Sequence, residues 1–306
     1  MTKFKRKINK KVSAVLMADP HIRPDFPVCR TDDFFKSMEN KWDFILALSK
    51  EHECPILNSG DLGHKSQWKN WLLEWFISKT EGYEIISICG QHDLLNHRLD
   101  FFEKSGIGVL HAAKAIKVIF EPTLINQFIV YPFHYGEDII HEKEKIKPHV
   151  PYICMTHQMV IENKPLWPDQ VAPKGNQLLK KYPEFELILS GDNHNAFEVE
   201  YEGRWLVNPG SLMRTTTEQI NHKPRVYLWF AETNEIKKVY LPIEQNVISK
   251  THIEVAKARE NRNAAFVARI NNDIEIDLSY ENNLENYFKK YRTEKPIVQK
   301  VWNSVG

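Results

Sequence analysis

Short apolar runs alternate with amphipathic stretches over about the first 240 residues of the chain. The runs are rich in strand-forming residues and are bounded by polar or turn residues, which predicts strands. Seven single strands are predicted: Val12–Met17, Pro55–Asn58, Glu84–Cys89, Ala115–Phe120, Gln127–Tyr131, Pro151–Met155 and Glu186–Leu189. Two hairpins follow, Phe197–Glu200 with Arg204–Val207 and Arg225–Phe230 with Glu235–Leu241. The first hairpin turns at Glu202-Gly203, a turn-forming pair.

Apolar positions three and four residues apart predict two helices between the strands. The first carries the stripe Phe35, Met38, Trp42, Ile45 and Leu46, and Thr31 can cap its start. The second, Ser66–Thr80, carries Trp68, Trp71, Leu72, Trp75 and Phe76, with Ser66 as its cap. Strands alternating with helices indicate a layered α/β domain.

Polar side chains follow five of the predicted strands, at the point where each strand ends. In chain order the blocks are Asp19-Pro20-His21, Gly60-Asp61, Gly90-Gln91-His92-Asp93, His157 and Gly191-Asp192-Asn193-His194, and Asn208-Pro209-Gly210-Ser211 comes after them. Sites in layered α/β folds form where loops leave the carboxyl ends of strands, so we expect these side chains to converge. Any single block has a simpler explanation, because an isolated buried His is usually a hydrogen-bonded core residue.

The ordered set has the composition that phosphate-ester hydrolysis requires. Two divalent ions roughly 3.5–4 Å apart can hold the phosphoryl oxygens and lower the pKa of a bound water. Such a pair needs a carboxylate between the ions and mixed nitrogen and oxygen ligands around them. Imidazole with carboxylate and amide oxygens suits Mn²⁺, Fe or Zn²⁺ better than Ca²⁺.

This ordered set resembles the signature of the calcineurin-like metallophosphoesterases, whose usual form is DxH, GD, GNHD/E, H and GHxH. The resemblance spans residues 12 to about 230. It implies a four-layer α/β sandwich of two mixed β-sheets flanked by helices, with a small C-terminal α/β extension. It also implies a ligand set for each ion. Metal one would bind Asp19, His21, Asp61 and His194, and metal two would bind Asp61, Gln91, His157 and Asp192.

The same resemblance implies that His92 stabilises the transition state or protonates the leaving oxygen, and that Asp93 orients His92. Two positions depart from the family, and both belong to metal two. Gln91 stands where the family has Asn, and Asp192 stands where it has His. We hypothesise that the second site is intact and shifted toward harder ions, above all Mn²⁺. The alternative is a second site that is weak or absent.

Within the superfamily, the chain most resembles the SbcD-type nuclease subunit of recombination and repair exonuclease complexes, in its phage and bacterial versions. The resemblance lies in the single long helix between Asp61 and Gly90, in Ile129-Val130-Tyr131-Pro132, and in the segment 277–284 before a C-terminal helix. It implies Mn²⁺-dependent cleavage of DNA with a coiled-coil ATPase as partner, and a homodimer is possible. A small-molecule phosphodiesterase or phosphatase and a non-catalytic metal-binding module remain alternatives.

Several other polar residues lie near these blocks. His64 could face the substrate, and Arg23, Arg30 and Arg214 could contact phosphate oxygens, although surface or salt-bridge roles explain each as well. His134 could lie at the rim of the cleft. A basic cluster at residues 3–11 could meet a nucleic-acid backbone, against the alternative of a solvated tail.

Composition limits the remaining possibilities. The net charge is +1, so any basic surface must be local. The four cysteines, at positions 29, 54, 89 and 154, form no CxxC pair, which favours free thiols in a reducing cytoplasm. The resemblance to phage and bacterial nuclease subunits implies the cytoplasm of a bacterial cell or a phage-infected host. No signal peptide or membrane span is predicted. The sequence becomes polar after residue 244, which predicts a catalytic domain over 1–244 and a capping or partner-binding segment over 245–306. Within that segment the pattern predicts a strand at Asp273–Leu278 and two amphipathic helices, one with Leu284, Tyr287, Phe288 and Tyr291 and the other with Ile297, Val298, Val301 and Trp302.

Overall fold

The computed structural model describes residues 11–140, 150–273 and 279–305. The chain divides into two compact units, Met1–Ser249 and Lys250–Gly306. The strands of the first unit are β1 (Ala14–Met17), β2 (Ile56–Asn58), β3 (Ile85–Ser87), β4 (Lys117–Val118), β5 (Thr123–Ile125), β6 (Phe128–Phe133), β7 (Tyr152–Thr156), β8 (Leu187–Ser190), β9 (Phe197–Tyr201), β10 (Arg204–Asn208), β11 (Arg225–Phe230) and β12 (Glu235–Tyr240). Its α-helices are α1 (Phe34–His52), α2 (Asn70–Thr80), α3 (Gly106–Ala112) and α4 (Gly175–Lys181), with 3₁₀ turns at Leu95–His97, Leu99–Lys104 and Glu218–Asn221.

The strands form two mixed six-stranded sheets. The first has the order β12-β11-β1-β2-β3-β4, and the second has the order β5-β6-β7-β8-β10-β9. Strands β1 to β4 run parallel, and so do β6, β7 and β8. Parallel neighbours end at the same edge of a sheet, so the loops after β1, β2 and β3 emerge together, as do the loops after β7 and β8.

The two sheets pack face to face over an apolar core, and strand alternation decides which residues enter it. In β1, Ala14 and Leu16 face the second sheet, where they meet a cluster that includes Ile153 and Leu189. Val15 and Met17 point the other way, into the cluster formed with the apolar stripe of α1. Because these strands are covered on both faces, they are apolar at nearly every position.

Helices complete the outer layers. Helices α1, α2 and α3 cover the first sheet, with Trp42 and Phe76 fully buried and in edge-to-face contact at 5.2 Å between ring centroids. Helix α4 packs on the outer face of the second sheet through Leu178 and Leu179. The predicted α/β fold of two mixed sheets flanked by helices is therefore confirmed.

Some predicted element boundaries are wrong. The second helix begins at Asn70 rather than Ser66, because the indole of Trp68 packs over Gly63 and Gly106 and Ser66 O accepts the Gly106 amide at 2.6 Å. Tertiary packing thus overrides the local helix pattern. The cap of α1 is Asp33, which accepts from Lys36 N at 3.0 Å, rather than Thr31. The short elements β5, α3 and α4 were missed, since none is long enough to show a clear period.

The second unit is helical in its described part, with α5 (Thr251–Asp273), α6 (Tyr280–Lys290) and α7 (Lys295–Val305). The two predicted amphipathic helices correspond to α6 and α7, and the rings of Phe288 and Trp302 lie 6.3 Å apart. The strand predicted at 273–278 falls almost wholly outside the described residues, as does most of the basic cluster at 3–11. No helix in the described ranges has the length and apolar character needed to cross a membrane.

Candidate metal centre

The loops after β1, β2, β3, β7 and β8 bring the predicted ligands to one end of the sandwich. Three groups of side chains each have potential donor atoms within 4.8 Å of one another: Asp19 with His21 and His194, Asp19 with Asp61 and His157, and His21 with His64 and His92. Residues from five separate loops therefore meet in space, as the sequence pattern indicates.

The backbone at four of the predicted ligands is strained. Asp19, His21, Asp61 and Asp192 have φ values of 49°, 46°, 51° and 69°, in the left-handed region that non-glycine residues seldom occupy. Such conformations cost of order 1–3 kcal/mol each and persist where the surrounding structure enforces them, most often at functional sites. The strain turns these side chains inward from the strand ends.

The first group has the spacing of ligands around one ion. The Nε2 atoms of His21 and His194 are 2.9 Å apart. Two nitrogens that each lie about 2.1 Å from one ion, at roughly a right angle, are separated by about 3 Å. Burial lowers the pKa of both imidazoles, which favours the neutral form that binds metals.

Asp61 is a member of the group with Asp19 and His157, and it also faces His21 of the first group. Its Oδ2 atom is 3.7 Å from His21 Nε2 and 3.4 Å from His157 Nε2, while its Oδ1 atom accepts the backbone amide of His92 at 2.8 Å. One carboxylate oxygen is thus held by the protein, and the other faces a histidine from each group. This is the position that a carboxylate shared by two ions would occupy.

Gln91 and Asp192, both predicted as ligands of the second ion, contact each other, since Gln91 Nε2 donates to Asp192 Oδ1 at 2.6 Å. Asp192 is not a member of the three groups found among the described residues, but its carboxylate is close enough to His157 to interact with it electrostatically. The Nδ1 atom of His157 lies 2.6 Å from Ser59 O. A hydrogen on Nδ1 donated to that carbonyl leaves Nε2 free, which is the usual way in which proteins orient a histidine ligand.

Unpartnered buried atoms provide a test of whether cations fit here. The described side chains of this site include five such atoms: Asp19 Oδ2, His21 Nδ1, Asp61 Oδ2, Gln91 Oε1 and His157 Nε2. Buried polar atoms without partners are rare because each costs about 1–3 kcal/mol. All five are oxygens or imidazole nitrogens, the donor types that bind divalent cations. The residues therefore fit one or more divalent cations.

Close opposite charges set the electrostatics of the cluster. Burial disfavours the imidazolium of His157, but the adjacent Asp61 carboxylate raises the pKa of His157 to about 10. Burial also opposes ionisation of Asp61, yet His157 and His21 hold the pKa of this carboxyl well below its usual range. Burial raises the pKa of Asp19 to about 8. Because metal ligation needs neutral imidazoles and ionised carboxylates, cation binding here releases protons.

The structure gives Asp93 a different role from the one predicted. Its carboxylate accepts three backbone amides, from Gly63 at 2.9 Å, Gly90 at 2.9 Å and Leu62 at 3.3 Å. The ring of His92 is held instead by His64 O, 2.9 Å from its Nδ1 atom. Asp93 therefore joins the loops after β2 and β3. The expectation that it orients His92 is wrong, because the backbone amides of these loops take both of its oxygens.

The weaker candidates separate into two groups. His64 is half-buried, stacked on His92 at 5.6 Å between centroids and 5.8 Å from the ring of His21, so it borders the cluster. Arg23 lies near it and is paired with the exposed Asp25. Arg214 is buried and donates to Ile220 O and Glu244 O, so its predicted contact with substrate is wrong.

Arg30 and His134 are both buried, and neither has the exposed position predicted for it. Arg30 is buried and donates to Asp32 and to Arg214 O, so it stabilises the chain beside the site rather than facing it. His134 is buried behind the loop after β3, where its Nδ1 atom accepts Cys89 N at 2.9 Å, and it is not at the rim. Ser59 was overlooked because a backbone carbonyl leaves no signal in side-chain chemistry.

Comparison with known proteins found similarity to solved structures alone, at low sequence identity. No protein-family model matches the chain, and no curated protein matches it significantly. Among solved structures, it is similar to an archaeal phosphodiesterase with 11% identity and a TM-score of 0.41, over 74% of this chain and 99% of the other. It is also similar to the protein TT1561 of Thermus thermophilus with 13% identity and a TM-score of 0.47, over 76% of this chain and all of the other.

Proposed function

We propose that this chain is a Mn²⁺-dependent metallophosphoesterase that hydrolyses phosphodiester bonds, with DNA as its substrate. The observation that carries the proposal is the position of Asp61 Oδ2, which is buried and makes no hydrogen bond, 3.7 Å from His21 Nε2 and 3.4 Å from His157 Nε2. A carboxylate so placed, with imidazoles on both sides, has the position that a ligand shared by two ions would need.

Two divalent ions in this site would lower the pKa of a bound water and neutralise charge on the phosphoryl oxygens. Asp19, His21, Asp61 and His194 would hold the first ion, and Asp61, Gln91, His157 and Asp192 would hold the second. The carboxylate and amide oxygens among these donors favour Mn²⁺, while the imidazoles also accept Fe or Zn²⁺.

His92 is the proposed proton donor to the leaving oxygen. Its ring lies 4.9 Å from that of His21, beside the first group of ligands. A hydrogen on Nδ1 donated to His64 O leaves Nε2 available. To act as the acid, the ring would carry a second hydrogen on Nε2 and pass it to the leaving oxygen, which returns His92 to its neutral form. Because this contact fixes the ring, proton transfer at Nε2 can occur without a change of rotamer.

DNA is proposed on the resemblance to the SbcD-type subunits and on the chemistry of the rim. His64 and Arg23 border the cluster and could contact a phosphate backbone. Helices α6 and α7 expose Tyr287, Tyr291 and Ile297, an apolar surface of the kind that a coiled-coil ATPase partner could cover.

The test is degradation of end-labelled linear DNA by the purified chain with Mn²⁺. His92→Ala should reduce the rate by about 10²–10⁴-fold, the usual contribution of a general acid, while Mn²⁺ binding measured by calorimetry stays unchanged. His52→Ala, at the end of α1, is the matched control and should retain wild-type activity.

Other results would assign a different function. Hydrolysis of a chromogenic phosphodiester without DNA cleavage, with and without an ATPase partner, would indicate a small-molecule phosphodiesterase. Absence of turnover on both substrates by a Mn²⁺-loaded chain would indicate a non-catalytic metal-binding module.

A further inference from the structure

The two residues that depart from the family signature contact each other directly. Gln91 comes from the loop after β3 and Asp192 from the loop after β8, in different sheets. The Nε2–Oδ1 distance between them is 2.6 Å. A hydrogen bond to a carboxylate is roughly twice as strong as one between neutral groups. It also fixes the orientation of the amide, because only its nitrogen can face a carboxylate oxygen.

Both residues are also fixed at the backbone. His97 Nδ1 lies 2.9 Å from Gln91 O, and Asp192 N donates to Asp19 Oδ1 at 3.1 Å. The side-chain contact therefore joins two positions that are already restrained. The orientation of the amide leaves Gln91 Oε1 buried and unpartnered. The Asp192 carboxylate likewise keeps a second oxygen that the Gln91 contact does not use.

We propose that Gln91 and Asp192 form one matched unit of the second cation site, in which each residue supplies the oxygen that their mutual hydrogen bond leaves free. This proposal rests on the metal-dependent function proposed above and extends it to ion selectivity. The lengths of the two side chains are complementary, since Gln has one methylene more than Asn and Asp is shorter than His. Either substitution alone would leave a gap or a clash, whereas the two together preserve the spacing.

The pair changes the chemistry of the second site. With the pair in place, Asp61, Gln91 and Asp192 would offer oxygen there and His157 alone would offer nitrogen. The first group, in contrast, contains two imidazoles, those of His21 and His194. Oxygen-rich sites favour Mn²⁺ and Mg²⁺, and imidazole-rich sites favour Zn²⁺. The second site is therefore the one that discriminates against zinc.

A double-mutant cycle read by calorimetric titration with Mn²⁺ and with Zn²⁺ tests this proposal. Gln91→Asn and Asp192→His should each weaken binding of the second Mn²⁺ by at least about 10-fold, the lower range for loss of groups that orient a metal ligand. The double variant Gln91→Asn/Asp192→His should recover to within about 3-fold of wild type, a non-additivity expected of contacting residues. It should also bind Zn²⁺ more tightly relative to Mn²⁺.

Asp169→His, in an exposed turn, is the control for the same change of side chain and should bind Mn²⁺ as wild type does. Circular dichroism identifies any variant that fails to fold. If a single variant is unfolded, recovery of folding and of the second ion in the double variant still supports the matched unit. Independent, additive losses would overturn it, as would wild-type affinity in either single variant or a wild-type chain that binds only one ion.

Hydrolysis of DNA and of a chromogenic phosphodiester by the wild-type chain is measured in parallel. Two bound ions and a non-additive cycle without turnover would refute the proposed function and leave the matched unit standing. Turnover together with additive losses of Mn²⁺ affinity would support the proposed function and refute the matched unit.

Discussion

Gly90 offers a sharp test of how closely the ligand loops are packed. A Cβ atom added at this glycine would overlap Asp61 Oδ1 and lie 2.5 Å from Asp61 N and 2.6 Å from Asp61 Cγ. Ordinary contact begins at 3.4 Å, so in Gly90→Ala the Asp61 N atom must move by about 0.9 Å, Cγ by about 0.8 Å, and the overlapped Oδ1 by more. Metal–ligand distances tolerate only about 0.2 Å, and a 1 Å misplacement can cost about 10²-fold in rate.

We therefore expect Gly90→Ala to weaken Mn²⁺ binding by about 10–100-fold, the range seen when the support of a ligand is lost. Overpacking should also lower the free energy of unfolding by about 1–3 kcal/mol. Calorimetric titration gives the affinity, and urea unfolding without added metal gives the stability.

Gly82→Ala separates the two effects. Gly82 has φ of 81°, and a Cβ atom there would meet nothing within 4 Å. Its substitution should cost roughly 1–2 kcal/mol through backbone strain alone, and it should leave Mn²⁺ affinity unchanged. Wild-type affinity in Gly90→Ala, or an equal loss of affinity in Gly82→Ala, would refute the argument that close packing positions Asp61.

The remaining predictions concern buried charges. Burial lowers the pKa of Lys41 from 10.5 to about 8. Between these two pH values the unfolded chain binds more protons than the folded chain, so stability rises with pH there. Below about pH 8 the buried Lys41 is charged, and its charge destabilises the fold. Lys41→Met should therefore be more stable than wild type below pH 8, by up to about 3 kcal/mol, and the difference should vanish above pH 10.5 in urea unfolding. Asp93→Asn should lose about 1–3 kcal/mol, because its amide nitrogen would face a backbone N–H. It should also weaken Mn²⁺ binding, and an unchanged affinity would contradict the role of Asp93 in joining the two loops.

Much of the fold could be predicted because the apolar runs are long and their flanks are distinct. Strands β1, β7 and β8 are buried at every position and were recognised from continuous apolar sequence. The start of α2 could not be predicted, since the contact of Trp68 with Gly106 joins residues distant in sequence. The seven-residue helix α4 begins at a glycine and spans too little chain to display a helical period.

For the candidate site, sequence alone identified the residues proposed to carry the chemistry and the order in which they occur. Asp19, His21 and Asp61 follow strands whose ends must lie at one edge, because parallel neighbours in a sheet end together. Only the tertiary structure decided how the side chains are used. Asp93 turned to backbone amides and Arg214 to backbone carbonyls, because buried polar groups take the nearest available partners. The contact between Gln91 and Asp192 joins loops of two different sheets. It depends on how those sheets pack, so the sequence around either residue does not predict it.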